Sequence, residues 1–179
     1  PQEQEQVAPT LEKTSEVMLQ NFEHSNFAVE IHQCYLDLVT AGTACLMFEE
    51  APLGEATAFH FYAVPLREIA VEESADGKID TTFRCSSLNW DGIRIRFPEA
   101  EIPPSLAERC REDSNCRLKV IEAVMPRHCN AGACGYDYIA FAWDENIGSG
   151  QSFVLREGVF ETSPFINFRW LKAPGEVYG

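Results

Sequence analysis

The sequence predicts an α+β fold, with an N-terminal helix pair followed by a mainly antiparallel β meander and a short inserted helix. Apolar residues recur at helical spacing up to residue 41, and beyond Thr57 they fall in short alternating runs separated by turn residues. Helices segregated from a series of antiparallel strands are typical of the α+β class.

Two helices are predicted first. Leu11 to Glu23 carries apolar residues at mixed helical spacing, and Ser25-Asn26 supplies side chains suited to capping a second helix. From Phe27 to Ala41 the apolar residues follow an i, i+3, i+4, i+7 pattern, and Gly42 stands where a left-handed C-cap is expected. Residues 1–10 are rich in Gln and Glu without periodicity, so we expect a flexible segment there and a single α+β domain over residues 11–179.

Short strands are predicted along the rest of the chain. Asp76-Gly77 is a hairpin-turn signal, residues 89–97 fit either a strand or a short helix, and Pro103 to Glu112 fits the inserted helix. Residues 126–135 are expected to form a loop. The predicted strands are 44–48, 59–64, 68–73, 79–85, 118–125, 136–143, 153–155 and 164–171.

The last predicted strand is the most aromatic. Phe165, Phe168 and Trp170 are large apolar residues, while Asn167 and Arg169 alternate with two of them. A strand with one polar face is usually half-covered by its own domain. We therefore expect all three aromatic side chains to be buried in this domain's sheet.

Composition places the chain among globular proteins and limits its partners. Of its 179 residues, 45% are hydrophobic, and no apolar run is long enough to suggest a membrane span. The formal net charge of −14 argues against a surface that neutralises nucleic-acid phosphates. The chain begins with Pro1 rather than Met, which suggests a piece of a longer protein.

Seven cysteines, an odd number scattered through apolar segments, do not resemble a secreted disulfide framework and favour a reducing cytoplasm. The alternative is a zinc-stabilised binding module using Cys110, Cys116, Cys129 and Cys134, with His128 nearby. Their spacings, Cys-x5-Cys and Cys-x4-Cys, are at or beyond the loose end of structural zinc knuckles. Free, unmetallated thiols are therefore the expected state.

Enzyme signatures are missing from the sequence. It has no Gly-x-Ser-x-Gly elbow, phosphate-binding loop, His-Glu-x-x-His motif or dinucleotide fingerprint. Its four histidines, His24, His32, His60 and His128, lie in no catalytic frame. We expect no catalytic residue, no metal ligand and no cofactor.

Two segments together resemble the head-to-tail connecting (portal) proteins of short-tailed bacteriophages. One runs from Ser25-Asn26-Phe27 through Leu38-Val39 to Gly42-Thr43, and the other is Pro164-Phe165 to Arg169-Trp170, followed by Gly175-Glu176-Val177-Tyr178-Gly179. A third matching part is the meander from Pro65 to Ile79 with its Asp-Gly turn. The order and spacing of these parts carry the resemblance, which covers about residues 17–179 except the Cys-rich stretch 90–135.

This resemblance implies a structural subunit from a phage or prophage. The family's proteins form a dodecameric ring at one capsid vertex, with capsid, terminase and tail proteins as partners. Double-stranded DNA passes through the ring, without specific binding, during packaging and ejection. The chain would then be a wing-region piece truncated before the channel stem, part of the virion and assembled in the bacterial host cytoplasm, with no membrane partner.

Overall fold

The structure, a computed structural model, describes residues 2–113, 116–129, 132–143 and 152–179. Two helices precede antiparallel sheets with a short helix inserted, which confirms the predicted α+β class. The helices are α1 (Gln2–His24), α2 (Phe27–Ala41), α3 (Trp90–Arg96) and α4 (Pro104–Glu112). The strands are β1 (Thr43–Glu50), β2 (Phe59–Ala63), β3 (Ile69–Glu73), β4 (Ile79–Asn89), β5 (Arg117–Cys129), β6 (Gly132–Trp143), β7 (Ser152–Phe160) and β8 (Phe165–Arg169).

The chain divides into two compact units. Unit 1 comprises Pro1–Val64 and Pro164–Gly179, and unit 2 comprises Pro65–Ser163. A compact unit can be a whole domain or only part of one, so this division does not test whether residues 11–179 form a single domain. That assignment stays a prediction.

In unit 1, helix α1 begins at Gln2 and therefore includes most of the segment expected to be flexible. Gln and Glu are good helix formers, so a lack of apolar periodicity does not prevent a helix there. Pro9 lies inside α1, where it removes one intrahelical hydrogen bond. Whether residues 1–10 are flexible in solution stays a prediction.

Unit 1 has a small antiparallel sheet in the order β2-β1-β8, with α2 packed on one face. Strand β1 is central, and its first five residues are all buried, as its apolar run predicted. Cys34 of α2 is fully buried against Ala44, Leu46 and Phe61. Surrounding aromatic rings, Phe22, Phe27, Phe48 and Phe59, contact Phe61 or one another with centroids 5.0 to 6.4 Å apart.

Unit 2 is an antiparallel meander in the order β3-β4-β5-β6-β7. The predicted Asp76-Gly77 turn joins β3 to β4: the Gly77 amide donates to the Ser74 carbonyl over 2.9 Å, and Gly77 has φ +82. Helices α3 and α4 lie between β4 and β5 in the chain, and their buried residues include Ile93, Leu106 and Cys110.

The ambiguous segment 89–97 begins with the end of β4 and continues as α3. The Asn89 side chain caps the helix by accepting a hydrogen bond from the Gly92 amide over 2.9 Å. Ile93 and Phe97 are both buried, at the i, i+4 spacing that one helix face requires, whereas Ile95 is exposed.

Three expectations about strands are wrong. The strand expected over residues 153–155 is longer and runs from Ser152 to Phe160. The predicted loop 126–135 is shorter, because β5 continues to Cys129 and β6 starts at Gly132, with a register shift at Pro126/His128 that accommodates the proline. The last strand ends at Arg169, and Trp170 beyond it is 64% exposed rather than buried. Phe165 is buried as expected, and Phe168 packs partly against the unit 1 core.

Candidate interface site

Two of the segments that carry the family resemblance meet in unit 1, although they lie at opposite ends of the chain. Strands β1 and β8 pair antiparallel, with Thr43 opposite Arg169. Beyond the pair, the Trp170 amide donates to the Gly42 carbonyl over 2.8 Å, and the Gly179 amide donates to Thr43 Oγ1 over 2.7 Å. The final Gly-Glu-Val-Tyr-Gly segment thus folds back onto the end of α2.

Gly42 is required at this meeting point for two reasons. Its φ of +72 lies in the left-handed region, and its amide donates to the Leu38 carbonyl to close α2, as the sequence predicted. A Cβ atom built on Gly42 would also clash with the Gly179 carbonyl oxygen. The close contact with Gly179 is long-range, and no local sequence signal predicts it.

An apolar groove lies beside this meeting point, with a volume of about 280 Å³. Val39, Trp170 and Leu171 line it and are 74%, 64% and 75% exposed. Exposed apolar side chains that lie together form a candidate surface for contact with another protein. The other residues that line the groove, Leu38, Gly42 and Gly179, are also apolar or glycine.

The opposite edge of the same sheet, strand β2, is covered by side chains of the helices. The Asn26 amide bonds to both backbone groups of Phe61, with its Oδ1 accepting from the amide over 2.9 Å and its Nδ2 donating to the carbonyl over 2.7 Å. Glu30 Oε2 accepts from the Ala63 amide over 2.7 Å. These bonds replace those of a neighbouring strand and so protect the edge from further pairing.

The prediction that the side chains of Ser25-Asn26 cap α2 is therefore only half right. Asn26 occupies the N-cap position, but its side chain makes no capping hydrogen bond there. The Ser25 hydroxyl instead accepts from the Phe27 amide over 3.2 Å. Sequence reasoning located the residue but missed its partner, because Phe61 lies on a distant strand.

Unit 2 contains a buried ionic cluster around Glu122 of β5, which is 1% exposed. Its Oε1 accepts from the Tyr138 hydroxyl over 2.9 Å and from Arg96 Nη2 over 3.0 Å. Its Oε2 lies 3.5 Å from Arg84 Nη1, and Arg84 Nε donates to Glu68 Oε2 over 3.3 Å. The cluster ties α3 to the centre of the sheet.

The cluster is structural in character. Burial, followed by the neighbouring Glu122 carboxylate, raises the pKa of Tyr138 far above its ordinary value. The phenol donates to a carboxylate whose charge two arginines offset, while Glu122 Oε2 is buried and accepts no hydrogen bond among the described residues. Sequence analysis gave Arg84 and Arg96 no role, because a charge inside a strand pattern does not show where its partner lies.

The cysteines show no zinc site in the part of the chain that the structure describes, where His, Cys, Asp and Glu form no group of three suited to a metal. Cys110 is buried on α4 and Cys116 is partly buried before β5. The side chains of Cys129 and Cys134 lie outside the described residues, as does that of His128. The zinc hypothesis thus gains no support from the described ligands.

Cys34 is a hydrophobic thiol of the unit 1 core. Burial, with a smaller contribution from Asp37 and Glu30, raises its pKa to about 11. Its Sγ donates to the Cys45 carbonyl oxygen over 3.6 Å. Because the thiolate is the reactive form, Cys34 is suited to packing and not to nucleophilic chemistry.

Two of the four histidines have simple surroundings in the structure. His24 Nδ1 bonds to the Gln20 carbonyl within its own helix over 2.7 Å, and His60 is exposed on β2.

Among the described residues, no helix has the length and apolar character needed to cross a membrane.

The described residues thus present an apolar surface groove, a protected sheet edge and a buried structural ion cluster. The family model described as bacteriophage head to tail connecting protein matches residues 1–179, the whole chain. The chain therefore belongs to this family, and the resemblance found in the sequence is confirmed. No curated protein matches the chain. Membership makes it a structural component of the phage particle at the junction of head and tail.

Proposed function

We propose that this region is a wing-like domain of a portal subunit, and that twelve such subunits form the ring at one capsid vertex. DNA would pass through this ring during packaging and ejection, and the tail would attach to it. The observation that carries the proposal is the family match over residues 1–179. The meeting of the two family-like segments at Gly42 adds support, since it gives them a shared structural role.

Net charge supports passage of DNA without gripping. The chain carries 28 acidic and 14 basic residues. Proteins that hold DNA neutralise its phosphates with lysine and arginine, and the affinity falls steeply with salt. A strongly acidic surface repels phosphates instead, which favours a duplex that slides past the protein.

The proposed role is mechanical rather than enzymatic, with capsid, terminase and tail proteins as partners and assembly in the host cytoplasm. The apolar groove at Val39, Trp170 and Leu171 favours protein contacts. In unit 2, the deeply buried carboxylate of Glu122 contacts Arg84, Arg96 and Tyr138, which supports a structural role for this ionic cluster.

Electron microscopy and native mass spectrometry of the full-length protein test the proposal. We expect a closed ring with a central channel, and no retardation of duplex DNA in a gel at physiological salt. A protein that stays monomeric at high concentration would contradict the ring. Tight DNA binding that weakens steeply with salt would contradict passage without gripping.

A further inference from the structure

Strand β7 forms one edge of the unit 2 sheet. It runs from Ser152 to Phe160, and after a register shift opposite Ala140/Phe141 its residues from Arg156 to Phe160 pair regularly with β6. On the outer side of β7, no strand or side chain of the described residues bonds to its backbone. Such an edge presents a row of backbone donors and acceptors that can pair with another chain.

The other edge strands with a simple description are better protected. Strand β2 in unit 1 bonds to the side chains of Asn26 and Glu30. Strand β3, the second edge of the unit 2 sheet, is short and has a register shift at Glu72/Glu73. Short and bulged edges resist pairing with a further strand. The regular end of β7 is therefore the edge of unit 2 that best suits an added strand.

A groove of about 520 Å³ lies on one sheet face beside this edge. In the strand register, Met125 lies opposite Asp137 and Asp137 opposite Val159, while Ile139 lies opposite Glu157. Because opposite residues and residues two apart share a face, all five project on the same side of the sheet. Met125 and Val159 are 37% and 54% exposed, so the groove offers apolar surface directly beside the open edge.

The charge of the groove favours a cation. Asp137 pairs with Arg127 over 3.6 Å, whereas Glu157 on β7 is exposed and forms no ion pair with any described residue. The whole chain carries 28 acidic and 14 basic residues, so its long-range field also attracts a basic partner. An occupant that places a cation beside Glu157 and an apolar side chain beside Val159 would complement both features.

We propose that the outer edge of β7 binds an extended segment of a partner protein, with a basic residue opposite Glu157 and an apolar residue opposite Val159. In this mode of binding the main-chain hydrogen bonds supply affinity, and the side chains that alternate toward the groove supply specificity. Because residues two apart share a face, the basic and apolar residues stand two positions apart in the partner. The proposal goes beyond the ring and does not depend on it, since it concerns unit 2 alone.

Three capped peptides test this site by titration of the isotope-labelled chain, followed through its backbone amide resonances. The first has the sequence Thr-Val-Thr-Lys-Thr-Val-Thr, which places one lysine between two valines on the same face in either strand direction. The second has Glu in place of Lys. The third is the lysine peptide N-methylated at every residue, which keeps the charge but cannot donate backbone hydrogen bonds.

We expect the lysine peptide to shift the amides of residues 156–160 and to bind about fivefold more tightly than the glutamate peptide, the upper range for one exposed ion pair. Added salt should reduce that difference. The N-methylated peptide should not bind. Glu157→Lys should reverse the preference, so that the glutamate peptide binds the variant more tightly. The matched control, Glu55→Lys, changes an exposed acid of unit 1 by the same charge and should leave the preference as it is.

Several results would overturn the proposal. Equal effects of Glu157→Lys and Glu55→Lys would mean that net charge alone attracts the peptide. Equal binding of the N-methylated peptide, or amide shifts confined to residues outside β7, would exclude strand addition at this edge. No binding of the lysine peptide would overturn the proposal as well. If the amides of 156–160 shift when the protein alone is concentrated, a second copy covers the edge and a separate partner is the wrong occupant.

Discussion

Replacement of Glu122 by alanine should destabilise unit 2 far more than loss of a surface ion pair. The substitution removes hydrogen bonds from Tyr138 and Arg96, at 2.9 and 3.0 Å, and the ion pair with the buried Arg84, which keeps its hydrogen bond to Glu68. Breaking a buried ion pair from one side costs about 3–5 kcal/mol. Because Arg84 keeps Glu68, we expect about 3 kcal/mol, the lower end of that range.

Urea unfolding followed by tryptophan fluorescence measures this cost. Trp90 and Trp143 lie in unit 2 and Trp170 in unit 1, so a Trp170→Phe background restricts the signal to unit 2. With a slope of about 1–3 kcal/mol per molar urea, the midpoint should fall by about 1–3 M.

Arg127→Ala is the matched control for this measurement. It breaks the Arg127–Asp137 pair at 3.6 Å, whose side chains are half exposed, and should cost under about 1 kcal/mol. If Glu122→Ala shifts the midpoint no more than Arg127→Ala does, the buried cluster does not stabilise unit 2 and the reasoning is refuted.

Three further predictions follow from single sites. In thermal unfolding, Gly42→Ala should destabilise unit 1 more than Gly175→Ala does. Both glycines have a left-handed φ, but only at residue 42 would the added Cβ clash with Gly179. Equal losses of stability would contradict the close contact between residues 42 and 179. Trp170→Ala should cost under about 1 kcal/mol in urea because its side chain is mostly exposed, and a cost of about 3 kcal/mol or more would restore the original expectation of burial. Burial raises the pKa of Tyr138, so the protonated hydroxyl contributes fully to stability below about pH 10, and this contribution is lost as the pH rises further. The unsubstituted protein should therefore show a tyrosinate absorbance that appears only with alkaline unfolding, and Tyr138→Phe should remove it. Tyrosinate absorbance from Tyr138 in the folded protein would contradict its burial.

Local patterns predicted the elements whose causes are local. The apolar stripe of α2 and the cap at Gly42, the buried run of β1 and the Asp76-Gly77 turn all depend on neighbours within a few residues. The same kind of pattern failed at Trp170, because alternation along a strand shows which face a residue takes and not whether anything covers that face. It failed at residues 126–135 because a bulge can carry a strand past a proline.

The candidate site was beyond prediction because it is built from contacts between distant segments. Asn26 reaches Phe61, and Gly42 meets Trp170 and Gly179, at separations that no helix or strand period spans. The sequence therefore identified the right segments through their resemblance to a family, but not their meeting point.

The position of β8 explains why the two segments belong together. Strand β1 is central in its sheet, so it needs both β2, which follows closely in the chain, and β8, which returns only after all of unit 2. Without residues 164–169, one edge of β1 would lose its backbone partners, which would leave buried amides and carbonyls unpaired. Unit 1 thus cannot complete its sheet until the whole of unit 2 has been made, whereas unit 2 is continuous and contains its own meander. Such non-local pairing is slow to form, so unit 2 should fold first and unit 1 should close afterwards, placing Trp170 and Leu171 on the surface only in the finished fold.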